Sequence, residues 1–231
     1  MLSWNNVRLK DYPEKDDGKR VWLDEREIQA FIEEAQSPMQ RAAFLLGVRM
    51  GLRGDEILQV TPAHFIETDV GRVLRIWHGK GDKYREVPVA PELGTIVDTM
   101  QYDLEPDEEI VDRSASTLYR WVQRAGERQY AETGDQGWTY LGPHDLRRTW
   151  GVRLLEDGVL ASVVFEWGGW ESWATFRDHY LTEFSPEAIR RERAKVDSLR
   201  EPGQRVEEGS RGDYVTVLEN ASPSVRAGGR H

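Results

Sequence analysis

A mostly helical α+β domain with a small antiparallel β-hairpin or sheet is the fold class this sequence predicts, on three observations. Apolar residues recur at helical spacing through most of residues 21–200. The period switches once, to a strand-like run holding Val73, Ile76 and Trp77 and a second holding Val87 and Val89. Glycines and prolines gather with few core formers after residue 200, and no internal repeat is visible.

The elements follow in chain order. Residues 1–20 are polar, carry Pro13, Lys15, Asp16 and Asp17, and read as a flexible lead-in. Asp24 followed by Glu27 forms a capping box, and Ile28, Phe31 and Ile32 share one face of the helix it opens. Ser37-Pro38 starts a second helix, apolar through Ala43, Phe44, Leu45, Leu46 and Val48 and ending at Gly51; Asp55 to Leu58 begins another turn. Between the two strand-like runs, His78-Gly79-Lys80-Gly81-Asp82-Lys83 has the chemistry of a hairpin turn. The six acids between Asp103 and Asp112 predict a solvated loop. Helix resumes over Ala115 to Gln129, with Leu118, Trp121 and Val122 facing the core. Another helix starts at Pro143 or His144 and stops at Asp157-Gly158. Shorter helices follow over Ala161 to Trp167 and about Ser172 to Tyr180, and Ser185-Pro186 opens the last. Residues 201–231 read as a flexible tail, which leaves one folded domain over 21–200.

At 231 residues and 26.7 kDa the chain can bury a substantial core. The absence of cysteine excludes a disulfide scaffold and a thiolate metal site, and fits a cytoplasmic protein. No apolar run approaches the roughly 18 residues of a membrane span, and the N-terminus lacks a signal pattern. A net charge of −10 argues against a surface that is basic all over, as a general phosphate binder would need. Only six of the 31 basic residues are lysine. An acidic, lysine-poor, arginine-rich chain is expected of a halophile, where molar salt screens charge within roughly 3 Å; a GC-rich genome accounts for the same composition equally well.

Four local patterns stand out: Gly51-Leu52-Arg53-Gly54-Asp55-Glu56, the turn Gly79-Lys80-Gly81, His144-Asp145-Leu146-Arg147-Arg148, and Gly168-Gly169-Trp170 with Tyr180 ten residues on. Each alone has a plain reading: a surface ion pair, a solvated lysine, a capping histidine one helical turn before an arginine, a core tyrosine. Their order and spacing are more specific. The chain from about Trp22 to Leu199 resembles the tyrosine recombinase family of phage integrase and Xer type. It does so through Gly-Leu-Arg-x-x-Glu, a hairpin with Gly-Lys-Gly, His-x-Leu-Arg-Arg opening a helix, Leu154-Leu155-Glu156-Asp157-Gly158, a Gly-Trp and a late tyrosine. The composition suggests a haloarchaeal member.

The resemblance implies a tyrosine recombinase catalytic-domain-like fold and a site that cuts and rejoins DNA through a 3′-phosphotyrosyl bond. It implies Tyr180 as nucleophile, Arg53 and Arg147 as the cations on the phosphorane's non-bridging oxygens, and Glu56 as the group holding Arg53. His144 matches the family histidine that bonds the phosphate or assists proton transfer. Lys80 would protonate the leaving 5′ oxygen, with Lys83 the competing candidate. Trp170 stands where many members have histidine; its indole N–H can donate to a phosphate and its ring can pack on Tyr180, but it cannot shuttle protons. Arg148, Arg153 and Arg177 are weaker candidates for phosphate contacts. No metal or other cofactor is expected, because side chains supply the cations.

The interval from Trp170 to Tyr180 is one residue longer than is usual in the family. Only about 20 polar residues precede the first helix, where most members carry an N-terminal clamp domain; either the chain is a minimal or truncated recombinase, or an accessory DNA-binding partner supplies the clamp. The expected partner is double-stranded DNA at a specific site, bound by a homotetramer, with no membrane. The Asp103–Asp112 acids would face away from that DNA. A helix bearing Arg190, Arg191, Arg193 and Lys195 would either dock on a neighbouring protomer or pack on its own domain. The resemblance leaves a type IB-like topoisomerase and a catalytically silent DNA-binding protein as the alternatives.

Overall fold

The second predicted helix is apolar all round, so it belongs inside the molecule. In the computed structural model, which describes residues 7–11, 19–77, 84–181 and 186–199, that helix (α2, Pro38–Val48) is buried along nearly its whole length. Ser37 caps it by accepting from the Gln40 N–H, and Pro38 sits where its missing N–H costs nothing. Before it runs α1 (Glu25–Glu33), whose capping box is complete: Asp24 accepts from the Glu27 N–H, and Glu27 accepts from the Asp24 N–H. Ile28, Phe31 and Ile32 are its buried face, and Phe31 meets Phe44 of α2 at 4.3 Å between ring centroids.

The stretch read as a lead-in contains two strands, β1 (Arg8–Asp11) and β2 (Lys19–Trp22), paired antiparallel from Arg8↔Trp22 to Asp11↔Lys19. The signal was faint because neighbouring polar groups fix the backbone there. The Val21 N–H donates to Asp145 at 3.2 Å and the Leu23 N–H to Thr149 at 3.1 Å, both on a distant helix. After α2 come the short α3 (Gly54–Ile57) and a three-stranded antiparallel sheet in the order β3 (Phe65–Thr68), β4 (Gly71–Ile76), β5 (Arg85–Pro88). The sequence indicated only β4 and β5; β3 is four residues long, too short for an alternation to register. Leu74 faces Phe65 on one side and Val87 on the other, which buries that row.

Helix α4 (Pro91–Met100), absent from the sequence reading, buries only Leu93, Gly94 and Val97. The Asp103 to Glu109 acids lie exposed as predicted, and the loop returns to the core at Ile110 and Val111. Helix α5 (Ala115–Thr133) starts at the Ser114 cap and runs past the predicted end to Gly134, whose φ of +73° closes it. A 3-10 turn (Gln136–Tyr140) leads into α6 (Pro143–Glu156), where every residue from Asp145 to Gly151 is buried. Helices α2 and α6 cross at Gly47, where an added Cβ would stand 2.8 Å from Leu146 Cδ1. Helices α7 (Ala161–Gly168) and α8 (Trp173–Tyr180) fall where their patterns put them.

The chain divides into two units, residues 1–189 and 190–231. The last helix, α9 (Pro186–Lys195), reaches into the second, where Lys195 pairs with Glu192 at 2.9 Å. The tail 201–231, Ser185 and the turn 78–83 lie outside the described residues.

Candidate active site

An α-helix ends with carbonyls that have no partner inside it, at the negative end of its dipole. At the end of α7 three successive carbonyls each take a different arginine. Trp167 O accepts from Arg85 Nε at 3.0 Å, Gly168 O from Arg147 at 2.7 Å, and Gly169 O from Arg53 at 3.0 Å. The chain can gather them only because the junction has no side chains. A Cβ on Gly168 would stand 1.8 Å from the Trp170 ring; Gly169 is left-handed (φ +62°), and a Cβ there would stand 2.8 Å from Arg85 Cδ.

Arg147 is the most enclosed of the three, at 1% exposure. It also donates to Gly51 O at 2.6 Å, and its guanidinium carbon lies 4.4 Å from the centre of the Trp170 ring. Gly51 turns with φ +67° directly over Trp150, where a Cβ would stand 2.2 Å from the indole. That turn aims its carbonyl at Arg147 and starts the extended residues that lead to Arg53. Burial, then the Arg53 charge beside it, lowers Arg147 to about 10, which leaves it ionised at neutral pH.

Arg53 donates to Glu56 Oε1 at 2.8 Å through its side chain and to Oε2 at 2.7 Å through its backbone N–H. Glu56 is also gripped by Arg85 in a fork, at 2.9 Å to Oε1 and 2.7 Å to Oε2. Burial alone would raise the Glu56 carboxyl. The bonds and charge of Arg85, followed by those of Arg53, outweigh burial and bring it down to about 2. The sequence reading missed Arg85. The available signal was its register: on β5, Arg85 and Val87 point inward while Pro88 faces out, and an arginine in an inward row requires a buried partner.

Tyr180, at the end of α8, is 7% exposed. It packs edge-on against Trp170 (4.9 Å) and stacks on Phe176 (5.2 Å), with its ring over Gly151 of α6. Its hydroxyl makes no hydrogen bond among the described residues. Burial pushes the phenol up, while Arg147, Arg148 and Arg53 pull it the other way. His144, at the start of α6, keeps an exposed edge. Loss of water around the rest of the ring, then the charges of Arg148 and Arg147, lowers it to about 4.

Arg53, Glu56, Arg147, His144, Trp170 and Tyr180 are thus brought together from α3, α6, the α7–α8 junction and α8. Lys80 and Lys83 lie outside the described residues; on either side of their turn, Trp77 and Tyr84 pack at 4.8 Å. The weaker candidates are each in an ion pair. Arg148 is buried and pairs with Asp145 at 2.5 Å. Arg153 pairs with Glu156 at 2.6 Å and Arg177 with its neighbour Asp178 at 2.9 Å. Among the described residues no three His, Asp or Glu side chains cluster to hold a metal, and no helix is long and apolar enough to cross a membrane. Chemically, these residues supply two fixed guanidiniums, a neutral imidazole, an indole N–H and a phenol.

The sequence profile of the phage integrase family matches residues 21–185. The integrase of Salmonella phage P22 is 27% identical over 213 residues, covering 78% of this chain and 48% of its own, so this chain spans about half the length of that relative. Among solved structures, XerA recombinase is similar with a TM-score of 0.58 at 22% identity, over 76% of this chain and 64% of that one. The Tn1549 transposon integrase, in complex with circular intermediate DNA, gives 0.59 at 16% identity, over 78% and 66%. At these identities the two structures speak for the fold.

Proposed function

This chain belongs to the phage integrase family of tyrosine recombinases, and from that premise we propose that it cuts and rejoins DNA strands at a specific site through a 3′-phosphotyrosyl intermediate. The observation that carries the reading is the anchoring of Arg53 and Arg147 on the adjacent carbonyls of Gly169 and Gly168, beside Tyr180.

Tyr180 Oη attacks the phosphorus as its phenolic proton passes to the unprotonated His144, and the phosphorane's added charge falls on the two guanidiniums, which are fixed before the DNA arrives. Glu56 keeps Arg53 in place, and the Trp170 indole N–H and His144 contribute further hydrogen bonds. A bound phosphodiester offsets the cations around His144 and raises its proton affinity. Lys80, with Lys83 as competitor, protonates the leaving 5′ oxygen. Attack of a 5′ hydroxyl on the phosphotyrosine reverses the step and rejoins the strand.

The catalytic domain includes β1 and β2 ahead of the helices, and works in the cytoplasm as a homotetramer on double-stranded DNA. The acidic, lysine-poor composition supports a haloarchaeal setting. Integration and multimer resolution use the same chemistry.

The test is a nicked duplex that traps the covalent step, incubated with the protein in about 1 M KCl. A denaturant-resistant protein–DNA adduct is expected with wild type and none with Tyr180→Phe. No adduct with wild type sinks the enzyme reading; an adduct that survives Tyr180→Phe sinks the choice of nucleophile.

A further inference from the structure

Arg85 is 6% exposed, and its Nε and both terminal nitrogens are engaged: Nε on Trp167 O, the other two on the Glu56 carboxylate. Three of its five N–H donors are committed to the protein. What it touches are the two supports of Arg53. One is Glu56, whose oxygens it shares with Arg53. The other is the backbone carrying Gly169 O, which lies against the Arg85 stem closely enough that a Cβ on Gly169 would stand 2.8 Å from Arg85 Cδ. We propose that Arg85 is a positioning residue of this site, holding Glu56 and the end of α7 so that Arg53 is aimed at the phosphate. This rests on the recombinase reading and adds a residue to the same site.

One physical consequence, geometric in kind, separates this role from a plain ion pair tying β5 to α3. Glu56 is gripped from both sides, and removing Arg85 leaves Arg53 to hold it alone. A misplacement of about 1 Å at a reacting centre costs on the order of a hundredfold in rate.

The experiment uses the full chain and nicked suicide duplexes tiled across the DNA flanking its coding sequence. It compares wild type, Arg85→Met, Arg85→Lys, Glu56→Gln and the double variant Arg85→Met/Glu56→Gln. Adduct rate is followed from pH 5 to 8, uncut-duplex binding by mobility shift, and folding by circular dichroism. Arg85→Met is expected to bind uncut duplex within about twofold of wild type and form adduct about a hundredfold more slowly. It should gain an acid limb, the rate falling further as Glu56 takes up a proton. The groups facing Glu56 are Arg53 on its own turn, Arg85 on β5, Arg147 on α6, and His64 and Arg75 across the adjoining cavity. His64 could also titrate, so the limb must vanish in the double variant, which lacks the carboxyl. Arg85→Lys keeps the charge and should recover about tenfold of the loss.

An Arg85→Met adduct rate and pH profile equal to wild type overturn the inference alone. So does an acid limb that persists in the double variant. If Arg85→Met does not fold, Arg85→Lys decides: slower cleavage with unchanged binding supports the inference, and the wild-type rate overturns it. No adduct from wild type on any duplex sinks the recombinase reading and this inference with it.

Discussion

The cations of this site are stabilised before any ligand arrives. Arg147 is sealed from water, yet two carbonyls and the face of Trp170 take the place of its hydration. His144 bears the opposite consequence: crowded by desolvation and by Arg148 and Arg147, it is held neutral. Its pKa of about 4, against an ordinary value of 6.5, means the unfolded chain binds a proton there that the folded chain refuses. Between those values stability falls as pH drops, and above pH 6.5 the effect is gone. The ring resonances of His144, followed by NMR in the free protein, should titrate near pH 4; a midpoint above 6 would refute the crowding. At this scale the sequence was most informative where a residue type admits one chemistry. Arg53, Arg147, Trp170 and Tyr180 stood out by spacing and lie side by side. Arg85 and the burial of Arg148 were hidden, because nothing within a few residues of either reveals the partner on another element.

Among the elements, α1 carries its start signal in full. Asp24 and Glu27 are legible as a capping box, and the structure forms it. The structure also crowds Glu27, whose pKa rises to about 7, first through burial and then through the charges of Asp24 and Asp135, against the lowering hydrogen bond from Asp24. The folded chain therefore holds a proton that the unfolded chain releases above 4.5, so stability should climb as pH falls from about 7 toward 4.5. Glu27→Gln should flatten that slope. Melting temperatures of both proteins at pH 5.5 and 8 check it, and equal slopes would refute it. Boundaries with a cap or a left-handed glycine, such as Ser37-Pro38 and Asp157-Gly158, were readable because local chemistry sets them. Strands β1, β2 and β3 were not, since each is four residues long, and the β2 backbone is fixed by Asp145 of a distant helix; helix α4 was not, since it buries only Leu93, Gly94 and Val97.

For the molecule as a whole, the net charge of −10 sits on a chain whose proposed site is positive. Acids gather in places such as Asp103 to Glu109, while Arg147 is enclosed and Arg53 half-buried, where salt screens them less than on an open surface. Duplex binding should therefore persist in about 1 M KCl. Binding that is best at low salt and lost above about 0.5 M, as counterion release from an open basic surface gives, would remove the halophilic reading and leave the recombinase reading standing. The sequence by itself determined the helical architecture, most helix starts and the identity of the residues that gather, because caps, periods and motif spacing are local or ordered along one chain. Only the tertiary structure decided that Arg85, Glu56 and three carbonyls at the end of α7 form the frame on which Arg53 and Arg147 rest. Burying a charge is tolerable only where partners converge on it from separate elements, and that convergence exists only once the chain has folded.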